Sequence, residues 1–216
     1  MAEGGYTVAN FQQPQTDGVG KRAMILYGLH TVLNNGSYLF GFYLLPQGFM
    51  RGSPQVAVGE AVAEASAFWS QLVLTVLFNL VLMSGLAVIL NLNRVKTLPA
   101  GYLIPIVLGI TGGLISGTNS FAASDLTRYN AWEGMALGLS IGGLEMLAYV
   151  LVVAATANLT VYQYRSWWRW SGEWKPTRVR SFRDLRLTRS EALTLAGAVL
   201  LLLAAAYKET AFSFTG

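Results

Sequence analysis

From Ala67 to Leu90 the chain runs for 24 residues without a formal charge. At 1.5 Å of rise per residue a helix of that length outreaches a hydrocarbon core of about 30 Å. In water the same helix would have no charged face to show the solvent. Four further stretches are dominated by apolar residues, Ala23–Leu45, Tyr102–Phe121, Met135–Tyr162 and Ala192–Tyr207. Charged residues make up 12% of the chain, against roughly a quarter in soluble domains. The sequence therefore predicts an all-α fold, a polytopic transmembrane bundle of about five spans near 23–45, 67–90, 102–121, 135–162 and 192–207. The last, at sixteen residues, is short enough to be re-entrant or to lie on the surface instead. Residues 1–20 hold glycine, glutamine and proline with few aliphatics, which predicts a mobile polar tail ahead of a single transmembrane domain, 21–216. The first stretch lacks a nearby small-residue cleavage pattern and reads as a retained helix rather than a signal peptide.

Basic residues orient the bundle. With five spans and the N-terminus inside, the cytoplasmic side collects twelve lysines and arginines, at 21, 22, 94, 96 and eight positions from 165 to 189, while the other side holds Arg51, Arg128 and Lys208. This asymmetry alternates at every loop and predicts a cytoplasmic N-terminus and an outside C-terminus. The net charge of +4 is then a feature of membrane orientation and contact with anionic lipid, not of nucleic-acid binding.

Glu145 is the one formal charge deep inside a predicted span. A carboxylate near the bilayer centre must be neutral, paired, or turned toward protein or water. Counting rise along each span puts Asn34 and Asn79 within about 4 Å of its depth, with His30 about 6 Å from Asn34. The four polar residues are expected to form an intramembrane cluster. It serves either as a proton or ion relay or as a hydrogen-bonded lock between helices. His30 alone, in a chain without cysteine, cannot close a metal site, and as a cofactor ligand it could at most contribute one bond to a magnesium or iron centre.

Glycines recur every four residues on the third span, Gly109, Gly113 and Gly117, and on the fourth, Gly134, Gly138 and Gly142. Small residues at that period open a groove that lets helix backbones approach closely in lipid. The two grooves are expected to meet each other. The basic loop 163–191 combines Arg165, Trp167, Trp168, Arg169, Trp170, Arg183, Arg186 and Arg189, a mixture suited to anionic headgroups or to a soluble partner.

The stretch from Gly138 to Leu159 places Gly142 three residues before Glu145, followed by Met146-Leu147-Ala148 and the small-residue run Ala154-Ala155-Thr156-Ala157. It resembles the signature helix of the stage II sporulation protein M family, and Asn79, Gly117 and Asn119 fall in a similar order ahead of it. The resemblance implies a polytopic helical membrane protein, like the family's type member in a peptidoglycan-remodelling assembly, with Glu145 as a helix-contact or relay residue. The Pro-His that precedes the family's glycine is Ser140-Ile141 here, so no role for that histidine carries over.

Without cysteine, a phosphate-binding loop, a nucleophile elbow, a zinc-protease helix or a dinucleotide fingerprint, no enzyme chemistry is indicated. The expected function is a non-catalytic subunit that scaffolds or anchors a membrane assembly, in contact with lipids and other membrane subunits, in a bacterial plasma membrane. Two alternatives stay open: a small transporter using Glu145, and an accessory subunit of a respiratory or photosynthetic complex that touches lipid or pigment.

Overall fold

The computed structural model describes residues 18–120, 130–166 and 175–215. Among these the chain is mostly helical, and three helices are long and apolar enough to cross a membrane, Phe68–Asn91, Ala100–Gly117 and Arg189–Phe214. The elements are α1 (Val19–Leu44), α2 (Pro54–Ala63), α3 (Phe68–Val76), a π-helical segment (Leu77–Ser84), α4 (Gly85–Asn91), α5 (Leu103–Gly117), α6 (Ala131–Thr156) and α7 (Arg189–Thr215). Helix α1 begins inside the expected 1–20 tail, whose first seventeen residues lie outside the described ones.

Two ends can be told apart by what is tied together there. At the basic end the start of α1 meets the start of α7 through Arg22 and Glu191, and the chain after α4 pairs with the chain after α6. At the opposite end the Gly48 N–H donates to the Thr118 carbonyl at 2.7 Å and the Met50 N–H to Ser120 Oγ at 3.0 Å. There too Phe68, at the start of α3, packs edge-on against Tyr207 and Phe214 near the end of α7.

Helix α6 is the centre of the bundle. Ala148 to Val150 and Val152 to Ala155 are buried, and the core gathers Val19, Ala23 and Leu26 of α1, Ala87 of α4, Ile104 of α5 and Ala198 of α7 around them. Small and β-branched side chains suit this place because five helices can then approach one axis without voids.

Several expected boundaries need correction. The fourth span does not run to Tyr162: the helix stops at Thr156, and Tyr162–Tyr164 is a strand. The sequence Thr160-Val161-Tyr162-Gln163-Tyr164 is β-branched and aromatic, which favours extended backbone. The chain is mostly helical, as expected, and what the expectation lacked is a small four-stranded sheet of two- and three-residue strands at the basic end. Its order is β2 (Leu98–Pro99), β1 (Asn93–Val95), β3 and β4 (Thr177–Arg178), where β3 is Tyr162–Tyr164. β1 and β3 are parallel, with Asn93 opposite Tyr162, and the two outer pairs are antiparallel. The tight β1–β2 turn puts Lys96 at φ +53. The sheet satisfies backbone groups of two loops that would otherwise need water or headgroups. The third helix ends at Gly117, short of Phe121, and the fifth is no fragment: α7 has 27 residues, long enough to span.

Candidate functional site

The polar residues expected to cluster are spread apart: His30 and Asn34 bridge α1 to α5, Glu145 bonds within α6 and Asn79 lies in the π-helical segment. His30 is buried, and its Nδ1 lies 2.9 Å from the Pro105 carbonyl oxygen of α5. A carbonyl only accepts, so Nδ1 carries the proton. One turn on, Asn34 Nδ2 donates to the Gly109 carbonyl at 3.4 Å. Both side chains of α1 thus hold the backbone of α5, and neither reaches Glu145 as a hydrogen-bond partner. The α5 glycines explain how they get so close. A Cβ added at Gly109 would sit 3.0 Å from the His30 carbonyl oxygen, and at Gly113 and Gly117 it would run into the carbonyl oxygens of Asn34 and Tyr38.

The expectation that the two glycine grooves face each other is therefore overturned: the α5 row receives α1. On α6, Gly134 lies against the Tyr38 hydroxyl, again of α1, and Gly142 has open space where a Cβ would be. Gly138 lies outside the residues whose surroundings are described. Helix α1, the most polar of the expected spans, is the natural partner because its backbone carries groups that α5 can approach only with hydrogen in place of a side chain.

Glu145 has a different partner. Its Oε1 accepts from the Tyr149 hydroxyl at 2.7 Å, one turn further along α6. Glu209 of α7 lies within Coulombic reach of both, because α7 extends beyond Tyr207 and carries Glu209 inside the helix. The expected Asn34 and Asn79 contacts do not form. Asn79 sits in the π-helical segment, where its carbonyl accepts from Ser84 Oγ at 2.9 Å across five residues. The hydroxyl spans the same five residues as the backbone N–H to carbonyl bonds of the π-helix around it, a helix type that is rare.

Two connections at the basic end were not anticipated. Asn91, fully buried, donates through Nδ2 to the Val153 carbonyl at 2.9 Å and to Thr156 Oγ1 at 2.8 Å, while its Oδ1 accepts the Gly101 N–H at 3.1 Å. One amide so joins α4, α6 and the entry to α5, and Gly101 must be glycine because a Cβ would strike the Asn91 side chain. Glu191 is the second. Its Oε2 accepts the Thr188 N–H at 2.9 Å and Thr188 Oγ1 accepts the Glu191 N–H at 3.3 Å, a capping box at the start of α7. Its Oε1 accepts from Asn158 Nδ2 at 2.7 Å and from Arg22 Nη2 at 3.2 Å. The Thr-x-x-Glu spacing of 188–191 was the sequence signal for the cap, whereas the Asn158 and Arg22 partners, 33 and 169 residues away, left no local trace.

Of the basic loop, Arg165, Arg183, Arg186 and Arg189 are exposed, as headgroup contact requires. Trp167, Trp168, Arg169 and Trp170 lie outside the described residues. Among the described residues no three histidine or carboxylate side chains stand close enough to hold a metal ion together.

No protein-family model matches this chain, and neither a curated protein nor a solved structure matches it.

Proposed function

We propose that the chain is a non-catalytic integral membrane subunit that scaffolds or anchors a larger assembly. In this reading it crosses a bacterial plasma membrane five times, with residue 1 in the cytoplasm and residue 216 outside. One observation carries it. The polar side chains His30, Asn34, Asn91 and Glu191 are spent on holding the bundle's own helices, while the outward face of the Phe68–Asn91 helix is a continuous apolar stripe of Trp69, Val73, Leu77, Val81 and Ile89. Such a face requires lipid tails or partner helices. The pairing of helix ends supports the five-span topology, since the termini tied at the basic end are those the charge alternation assigns to the cytoplasm. The resemblance of α6 to the sporulation family adds a cell-wall-remodelling assembly as one setting for the subunit.

Gentle extraction from the native membrane followed by native mass measurement tests the proposal. A particle containing a second chain at fixed stoichiometry is the expected result. A solitary chain that conducts protons or ions after reconstitution would overturn it, and the absorbance of the same particle reports any bound pigment. Reporter fusions at the two termini test the topology, which fails if both report one side.

Glu209 gives the transporter reading its own support. A relay needs more than one ionisable group along its path, and the extended α7 brings a second carboxylate near Glu145. Loss of an ion flux in Glu145→Gln, with assembly unchanged, is the result that would favour this reading.

A further inference from the structure

Among the described residues four buried side-chain polar atoms lack a hydrogen-bond partner: Arg22 Nε, Arg94 Nε, Thr160 Oγ1 and Thr210 Oγ1. Three of the four gather at the basic end, around the turn that follows α6. Arg94 Nη2 donates to the Ala157 carbonyl at 3.4 Å, and Arg180 Nη1 donates to the Asn158 carbonyl at 3.2 Å. Thr160 lies on that same turn. Arg22 joins from α1, tied to Glu191, which also holds Asn158. Arg22 and Arg180 are both within Coulombic reach of Arg94.

The charge there does not balance. Among the described residues only Arg22 of the three guanidiniums has a carboxylate partner, Glu191, and that carboxylate is already shared among Arg22, Asn158 and the Thr188 cap. Arg94 shows the consequence. Burial first, with the positive neighbours Arg22 and Arg180 adding to it, pushes its guanidinium below the ordinary arginine range, against an opposing pull from Tyr102. A guanidinium keeps its proton in proteins, so the relief has to come from an anion. The neutral Ala157 carbonyl accepts a single Nη–H bond from Arg94 and leaves its Nε–H unused, and Arg22 Nε–H is unused beside its bond to Glu191. A tetrahedral oxyanion presents several acceptor atoms at once, which suits forked donors arriving from different directions.

We propose that Arg22, Arg94 and Arg180, with the Thr160 hydroxyl on the turn they surround, form a binding site for a phosphate group, carried either as free phosphate or as the headgroup of an anionic lipid. The two sources share the chemistry of recognition. Arg94 and Arg180 are only half-buried, which gives the group a way in, and the exposed Lys21 and Arg189 are close in sequence to Arg22 and Glu191. The lipid source rests on the membrane reading, while binding of free phosphate does not.

Calorimetric titration of the full chain, delipidated in a maltoside detergent, tests the site in two arms. One arm uses inorganic phosphate against chloride at matched ionic strength. The other uses dihexanoyl phosphatidic acid against uncharged dihexanoylglycerol. Saturable binding of phosphate or phosphatidic acid is expected, weakened at least about tenfold by Arg94→Gln, since a charged hydrogen bond is lost. Arg180→Gln, a change in a half-exposed loop, gives a second reading should Arg94→Gln fail to fold, and Arg51→Gln at the opposite end leaves binding unchanged. Tighter binding of phosphatidic acid than of phosphate assigns the site to a headgroup, and equal binding assigns it to the free anion. Absence of saturable binding in both arms overturns the proposal, as does wild-type affinity in folded Arg94→Gln and Arg180→Gln. Failure of the scaffold reading would show in particle mass and leave these titrations untouched.

Discussion

The seam between α1 and α5 and the seam between α6 and α7 are built on opposite principles. Across the first, backbone approaches backbone: Gly109, Gly113 and Gly117 lie over the carbonyls of His30, Asn34 and Tyr38, and two polar side chains bridge to α5 carbonyls. Across the second, side chains do the packing: Ala148, Tyr149 and Leu202 form a buried cluster with Met146 and Leu201 against it, and Gly142 and Gly197 face open space. Both seams contain glycine, yet only one uses it. A four-residue glycine period shows that a close approach is available; whether it is taken depends on what the facing helix offers. In lipid, where helix association relies on dispersion and hydrogen bonds, the polar backbone-facing side of α1 offers more than an aliphatic face.

The largest expected effect breaks the first seam alone. Gly113→Leu places a side chain where the Asn34 carbonyl and the Ser37 Cβ already lie, so the helices must separate and the two bridging hydrogen bonds go with them. Overpacking of this kind costs about 1 to 3 kcal/mol or more, and thermal unfolding in detergent should show loss of the folded bundle. Gly142→Leu, with open space at its Cβ, should unfold within a few degrees of the wild type. Equal damage from both substitutions would mean that the contrast between the seams is wrong.

An effect of similar size is expected at the basic end. The side chains of Arg22 and Glu191 are 10% and 3% exposed, so Glu191→Ala strands a largely buried guanidinium and removes the α7 cap together. Breaking such a pair costs about 3 kcal/mol. Double substitution with Arg22→Met should recover part of the loss, because the stranded charge is gone. If the double variant is no more stable than Glu191→Ala, the pair does not couple α1 to α7.

How far the chain could be read in advance follows the range of each interaction. Helices whose apolar period is local, such as Phe68–Asn91, were legible within a residue or two. The fourth span overran because hydropathy does not separate a β-branched, aromatic strand from a helix, although the Thr160 to Tyr164 run carried that signal. The fifth was cut short at Tyr207 because Lys208 and Glu209 read as a boundary, whereas the packed helix continues past them to Thr215. Depth counting placed Glu145, Asn34 and Asn79 at one level but held no information on which way each side chain turns about its helix axis. A shared level is not a shared face, and so the candidate cluster dissolved into separate contacts. Asn91 escaped notice because it stands at a span end, where a polar residue attracts no attention. Asn91→Ala, which leaves the buried Gly101 N–H without its acceptor, should cost about 1 to 3 kcal/mol in the same unfolding assay.

The smallest effect is expected at Glu145, and it sharpens the second seam. Tyr149 is buried, and its hydroxyl donates to Glu145 Oε1 at 2.7 Å. Glutamine keeps a carbonyl oxygen at nearly the same volume, so Glu145→Gln preserves the acceptor and should change stability by less than about 0.5 kcal/mol, in keeping with the modest worth of hydrogen bonds inside membrane bundles. Leucine offers no acceptor, and the stranded Tyr149 hydroxyl should cost about 1 kcal/mol or somewhat more. Tyr149→Phe removes the need for that acceptor. If the hydroxyl is what Glu145 serves, Glu145→Leu with Tyr149→Phe should be more stable than Glu145→Leu alone. A glutamic acid that instead serves Glu209 or a transported ion would show the reverse: Glu145→Gln would alter flux or assembly while Tyr149→Phe left the leucine variant as unstable as before. The α6–α7 seam would then be a pathway with side chains along it, and its difference from the glycine seam would be one of function as well as of packing.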